Sequence, residues 1–157
     1  MRYRNVRNLI IEGPDGVGKS TLIDGLFKHY NYKYMCYHRG ELSNKLFASK
    51  FKRSFYETQR GLPFLYIVLI ADKRCLTSRI IKRAELDNWT EEQKQRELET
   101  VKYSNEYFNL ADEMKLNYDI CIINTSDKSD KDVLNEVIHL LDFRELNDAE
   151  ELKCDFS

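Results

Sequence analysis

No stretch of this sequence is apolar for long enough to cross a bilayer. The longest run, Leu62–Ala71, is interrupted by Pro63 and suits a buried strand. Patterned cysteine is missing as well. Cys36, Cys75, Cys121 and Cys154 include no CxxC pair, and no histidine stands at zinc-finger spacing, so reduced thiols are expected. The opening MRYRNVRNLIIEG is basic but has no apolar core followed by small residues, which gives an expectation of no signal peptide and a cytoplasmic location. A net charge of −1 leaves no global polycation to recruit nucleic acid. Repeats, linkers and low-complexity blocks are absent. A length of 157 residues with 42% hydrophobic content fits one globular domain, expected over 1–145 with an acidic, flexible tail over 146–157.

What charge there is lies unevenly. Residues 38–83 hold eleven Lys/Arg against three acids, whereas 142–155 hold six acids against two bases. Most such residues are solvated helix faces. The basic segment would also supply the local positive potential that phosphate handling needs.

Strand and helix patterns alternate along the chain. Residues 6–12 form a short apolar run ending in a glycine cluster, and from Lys19 the positions Leu22, Ile23, Leu26, Phe27 and Tyr30 recur at helical spacing. Tyr32–Tyr37 reads as a second strand, and a helix is predicted over about 41–58, closed by Gly61 and Pro63. Phe64–Ile70 has the continuous apolar character of a central parallel strand. Asp72 opens another helix, and Thr90-Glu-Glu-Gln93 is a capping box that starts a long helix to about Leu116. Asp119–Ile123 is the last strand, followed by a helix from Ser129 that carries Val133, Leu134, Val137, Ile138 and Leu141. This order predicts a three-layer α/β fold, a mostly parallel sheet of about four to five strands with helices on both faces. In such sheets ligands bind at the carboxyl ends of the strands. That end gathers the Gly13 loop, His38–Arg39, Ala71–Asp72 and Asn124–Ser126.

Glycine is scarce, six in all, and three of the six fall in one loop. Gly13-Pro-Asp-Gly-Val-Gly-Lys-Ser20 fits G-x-x-x-x-G-K-[ST] between an apolar strand and an amphipathic helix, the P-loop context. Triphosphate oxygens must be wrapped by backbone N–H groups, and glycine alone lets the chain approach that closely. Gly13, Asp15, Gly16, Val17, Gly18, Lys19, Ser20 and Thr21 are therefore the predicted nucleotide-binding residues. Lys19 reaches the β- and γ-phosphates, Ser20 Oγ ligates Mg²⁺, and the helix N-terminus adds partial positive charge. ATP and Mg²⁺ are the expected cofactors. The loop alone does not separate a kinase from a GTPase or an ATPase.

The stretch LIIEGPDGVGKSTLI resembles the opening of the thymidylate kinase and deoxynucleoside kinase group. IVLIADKRCLTSRIIKRAELD resembles the strand, Asp and Arg-x-x-x-Arg pattern that leads into the LID segment of thymidylate kinases. VKYSNEYFNLADEMKLNYDICIINTSDKSDKDVLNEVI resembles their closing helix, last strand and base-contacting loop, so the likeness covers about two thirds of the chain. It implies transfer of the ATP γ-phosphate to a deoxynucleoside monophosphate. Asp15 would contact the acceptor's sugar hydroxyl. Arg79 and Arg83 would act as arginine fingers, in place of an arginine the family sometimes carries where this chain has Gly16. Asn124 and Ser126, with their neighbours to Lys128, would line the adenine. The bland reading of Arg79 and Arg83 is an exposed i, i+4 face, with Glu85 as a pairing partner.

One departure concerns the family's Asp-Arg pair after its third strand. The nearest match is His38-Arg39, some twenty residues past Lys19. Histidine does not replace an aspartate for a hard cation, and Arg39 remains a candidate for the acceptor phosphate. No aspartate directly ends Phe64–Ile70, since Asp72 lies two residues on and equally suits a helix N-cap. A monophosphate acceptor is already an anion, whereas a hydroxyl needs a positioned base, for which Glu41 is the candidate. Tyr37, Phe47, Phe51, Phe55 and Tyr56 offer either core packing or a stacking surface for a base. The expected partner is thus a small nucleotide, with no membrane and a homodimer left open. Two alternatives stay open: a kinase for a hydroxyl of a deoxynucleoside or of a modified base in DNA, and a nucleotide-binding module without transfer.

Overall fold

In the computed structural model, which describes residues 7–154, the strand richest in buried side chains sits inside the sheet. This is β3 (Phe64–Ile70), whose five middle residues are buried. Continuous burial of that kind requires a strand covered on both faces. β1 (Arg7–Glu12) lies on one side of it and β4 (Asp119–Asn124) on the other, with β2 (Tyr34–His38) beyond β1. All three pairings are parallel, in the order β2-β1-β3-β4. The sheet therefore has four strands, and every strand ends on the same side.

Alternation along the strands divides the core in two. Leu9, Ile11, Leu65, Ile67, Leu69 and Ile123 face α1 (Lys19–Tyr30), α3 (Lys73–Leu86) and α6 (Asp130–Cys154) through Leu22, Leu26, Leu76, Ile80, Val137 and Leu141. Ile10, Tyr66 and Val68 face α2 (Glu41–Lys50) and α5 (Tyr103–Met114) through Leu42, Leu46, Tyr107, Ala111 and Met114. Each fully buried aliphatic side chain of this kind contributes about 1.5–3 kcal/mol of burial free energy. The result is the expected three-layer α/β arrangement. No helix among the described residues is long and apolar enough to cross a membrane.

Three helices differ from the pattern read in the sequence. α2 stops at Lys50 rather than near 58, because Lys52 takes a left-handed conformation (φ 51°) and Arg53 N–H turns back to Ala48 O at 2.8 Å. The aromatics that extended the pattern, Phe51 and Tyr56, are exposed rather than core. The long helix from Thr90 is broken. Its capping box forms as predicted, but α4 (Glu91–Glu99) gives way to a 3₁₀ turn at Thr100–Lys102 before α5 begins. Thr100 Oγ1 donates to Glu97 O at 2.6 Å, a local bond that competes with helix continuation, and Val101 is buried in the first core. α4 has no buried residue and packs on α3, whereas α5 lies against the sheet. Lastly, α6 opens with reciprocal Ser129–Asp132 bonds, and its helical backbone runs on to Cys154 where an acidic tail was expected from 146.

Candidate active site

The turn from β1 to α1 sets the site. Gly13 has φ 146°, and a Cβ there would meet Leu69 O at 2.4 Å, so the loop lies directly on the carboxyl end of β3. Gly18 caps α1 in the left-handed region (φ 100°). Both positions exclude side-chain-bearing residues, one by contact and conformation together, the other by conformation. Lys19, the first residue of α1, is buried and folds back over the loop. Its Nζ donates to Gly13 O and Pro14 O, each at 2.8 Å, and stands 4.0 Å from Asp15 Oδ1. Burial pushes its pKa down to about 8, with Asp15 pulling the other way.

Around this lysine is a cavity of about 720 Å³, within the usual range for a small-molecule site. Asp15, Gly18, Ser20 and Thr21 form its floor with Lys19. Its walls carry His38, Arg39, Arg79, Arg83, Trp89, Glu97 and Asp130. Arg39 leaves β2 with φ 62°, an uncommon conformation for a side-chain-bearing residue. Its N–H bonds Ile11 O at 2.9 Å, its ring neighbour is Phe47 with the guanidinium 5.2 Å from the centroid, and Nη2 reaches Asp15 Oδ1 at 3.0 Å. Arg79 is held by Thr125, through Oγ1 at 3.0 Å and the backbone oxygen at 2.6 Å. Arg83 is more exposed and pairs with Asp87 at 3.5 Å, not with Glu85, while stacking over Trp89.

Glu41 is the candidate that the fold takes away. Its Oε1 accepts from Thr58 N–H, Thr58 Oγ1 and Gln59 N–H at 2.7–2.8 Å, and the residue is fully buried. It secures the irregular 51–63 segment and does not line the cavity. Asn124 and Ser126 likewise serve the loop after β4: Asn124 Oδ1 accepts from Ser126 N–H, and Ser126 Oγ accepts from Asp72 N–H. Asp72 itself caps α3, accepting from Cys75 N–H at 2.7 Å. Neither Asn124 nor Ser126 lines the cavity, and their neighbour Thr125 reaches it through Arg79.

Three acids of this region are not among the candidates read from the sequence. Glu12, at the end of β1, is buried and accepts from Gly40 N–H and Ser43 Oγ, tying the loop's origin to the start of α2. Burial raises its pKa, and those hydrogen bonds oppose the rise. Glu97 reaches the cavity from α4, and burial and the nearby charge of Asp15 raise its pKa as well. Asp130 arrives with the first turn of α6. Nothing in the sequence sets Glu97 apart from Glu91, Glu92 or Glu99.

The donor set fits a magnesium-bound nucleoside triphosphate. Backbone amides of a loop whose glycines at 13 and 18 exclude side chains, a buried lysine and a serine hydroxyl at a helix N-terminus together suit phosphate oxygens and a hard cation. Asp72, Cys75 and Asp127 also approach one another, outside the cavity, where the first caps α3 and the other two contact each other. No family model and no curated protein matches the chain. Among solved structures it is similar to an uncharacterized protein from Eubacterium ventriosum, with a TM-score of 0.51 over 88% of this chain and 99% of that one, at 12% identity. That likeness bears on the fold alone.

Proposed function

We propose that this chain is an ATP·Mg²⁺-dependent phosphotransferase of the P-loop kinase type, with a nucleoside monophosphate as acceptor. The observation that carries the reading is the buried Lys19 folded across the Gly13–Gly18 loop, at the floor of a cavity walled by Arg39, Arg79 and Arg83. Lys19 now satisfies itself on two loop carbonyls, and a triphosphate would take those donors over. Magnesium, held through Ser20, would neutralise charge on the phosphates.

The residues of the chain divide the remaining work. The loop amides and the start of α1 orient the donor, which converts the transfer into a positioned, effectively unimolecular step. Arg79, fixed by two bonds to Thr125, offers a preset charge for the migrating group. Arg83, exposed and loosely paired, is free to turn inward. Arg39 is poised for the acceptor phosphate, a bidentate partner for its guanidinium in exchange for Asp15. A monophosphate needs no base. The base proposed for a hydroxyl acceptor, Glu41, is fully buried away from the cavity, its Oε1 held by Thr58 and Gln59, which favours the phosphate acceptor.

The test is product analysis by mass after incubation with ATP·Mg²⁺ and a panel of nucleosides, nucleoside monophosphates and oligonucleotides, with Lys19→Ala as control. A nucleoside diphosphate made from one monophosphate, and lost in the variant, is the expected outcome. Phosphate on a nucleoside or an oligonucleotide would replace the acceptor. ATP binding with no product would leave a binding module.

A further inference from the structure

Glu12 is a buried acid to which the proposed transfer gives no task. It ends β1, one residue before the phosphate loop, and is wholly shielded from solvent. A carboxylate in such a place is tolerated only when its oxygens are satisfied. Its Oε1 accepts from Gly40 N–H at 2.5 Å and from Ser43 N–H at 3.3 Å, and its Oε2 accepts from Ser43 Oγ. Ser43 Oγ lies in turn 2.8 Å from the hydroxyl oxygen of the buried Tyr107. All three donors belong to the start of α2. Gly40 precedes that helix and has no side chain to cap it. Glu12 therefore caps α2 from another element and puts a negative charge at its N-terminus.

Arg39 hangs on these bonds. Its left-handed backbone (φ 62°) is costly for a residue with a side chain and persists only where the surroundings fix it. The last two residues of β1 do so: Ile11 O accepts from Arg39 N–H at 2.9 Å, and Glu12 Oε1 accepts from the next amide, that of Gly40. A Cβ at Gly40 would meet Ile10 Cγ2 at 2.8 Å, so this stretch lies directly on the strand. α2 also brings Phe47, whose ring centroid is 5.2 Å from the Arg39 guanidinium. We infer that Glu12 is a positioning residue of the acceptor subsite: by holding Gly40 and Ser43, its carboxylate fixes Arg39 at the cavity wall in register with the phosphate loop that starts at Gly13. This rests on the acceptor reading given under the proposed function. One strand end then supports both the donor loop and the acceptor arginine, which suits an in-line transfer between two bound phosphates. Glu12 does not itself line the cavity, and its effect passes through Arg39.

The experiment is steady-state kinetics of thymidine monophosphate phosphorylation by ATP·Mg²⁺, with the full chain as wild type, Glu12→Ala, Glu12→Gln, Arg39→Ala and the double variant Glu12→Ala/Arg39→Ala. Loss of the carboxylate's bonds should raise the acceptor KM of Glu12→Ala by about tenfold, with the ATP KM within about twofold of wild type. Glutamine can still accept from Gly40 N–H and donate to Ser43 Oγ, so Glu12→Gln should recover most of that loss. In the Arg39→Ala background, Glu12→Ala should add nothing to the acceptor KM, because the group it positions is gone. Glu12→Asp, a methylene too short to reach both Gly40 and Ser43, runs the same cycle at smaller amplitude should the alanine variant not fold. An unchanged acceptor KM, equal rises in both KM values, or Glu12 and Arg39 effects that simply multiply would overturn the inference and leave the kinase reading standing. A wild type that binds ATP but phosphorylates no thymidine monophosphate would overturn the acceptor reading and the inference together.

Discussion

The two sides of the cavity are built on different terms. The loop side is made from one continuous stretch, Gly13 to Ser20, whose carbonyls, lysine and helix start satisfy one another over a few residues. The opposite side is assembled from β2, α3 and α4, and two of its arginines already have charged partners: Arg39 with Asp15 and Arg83 with Asp87. The first is a local, self-satisfied cluster around one buried lysine. The second is a set of exchangeable pairs that a ligand has to rearrange. Preorganised charge gives the larger catalytic effect, and exchangeable pairs give selectivity and pH dependence.

That contrast orders the expected effects. Lys19→Ala removes the buried cation of the loop side and should lower phosphoryl transfer by about 10²–10³-fold, read as initial rate at saturating acceptor. Retained transfer in that variant would erase the distinction between the sides. Arg39→Ala acts on the exchangeable side and should raise the acceptor KM by about 10–100-fold, the worth of a charge-assisted hydrogen bond, with a smaller change in the ATP KM. Equal changes in both KM values would mean that Arg39 serves the donor as well. Raising the pH tests Lys19 from another direction. Its pKa of about 8 means the cation is largely present below that value and is lost above it, whereas a bound triphosphate holds the proton on. ATP affinity should therefore be level below pH 8 and weaken by up to about tenfold per unit above it, until the bound form also titrates. Glu41→Ala lies outside both sides. Loss of an acceptor shared by Thr58 and Gln59 should cost about 1–3 kcal/mol in denaturant unfolding, with both KM values unchanged.

The same contrast explains what could be read from residues alone. Gly13, Gly18 and Lys19 were legible because their neighbours lie within a turn of them in sequence, and the Thr90–Gln93 box was legible for the same reason. The alternation of β1, β3 and β4 with helices gave the layers, since a strand such as Phe64–Ile70 has to be covered twice. Contacts between distant residues were not legible. Glu41 looked like a free acid in a basic segment, but its partners are seventeen and eighteen residues on, in a segment taken for helix. Phe51 and Tyr56 continued an apolar pattern that Lys52 breaks by its backbone conformation. Glu97 enters the cavity because Thr100 and Val101 end α4 and turn the chain onto the sheet, and no pattern within 91–99 records that turn.

The central proposal is that the Gly13–Ser20 loop delivers the γ-phosphoryl group of ATP to an acceptor across this cavity. The most direct measurement is to supply ATP with a heavy-oxygen label on its γ-phosphoryl group, together with thymidine monophosphate and Mg²⁺, and to weigh the products of wild type and Lys19→Ala. Label recovered in thymidine diphosphate from wild type, and absent with the variant, is the predicted result. Label found in inorganic phosphate alone, or unchanged ATP from a protein that binds it, would contradict the proposal.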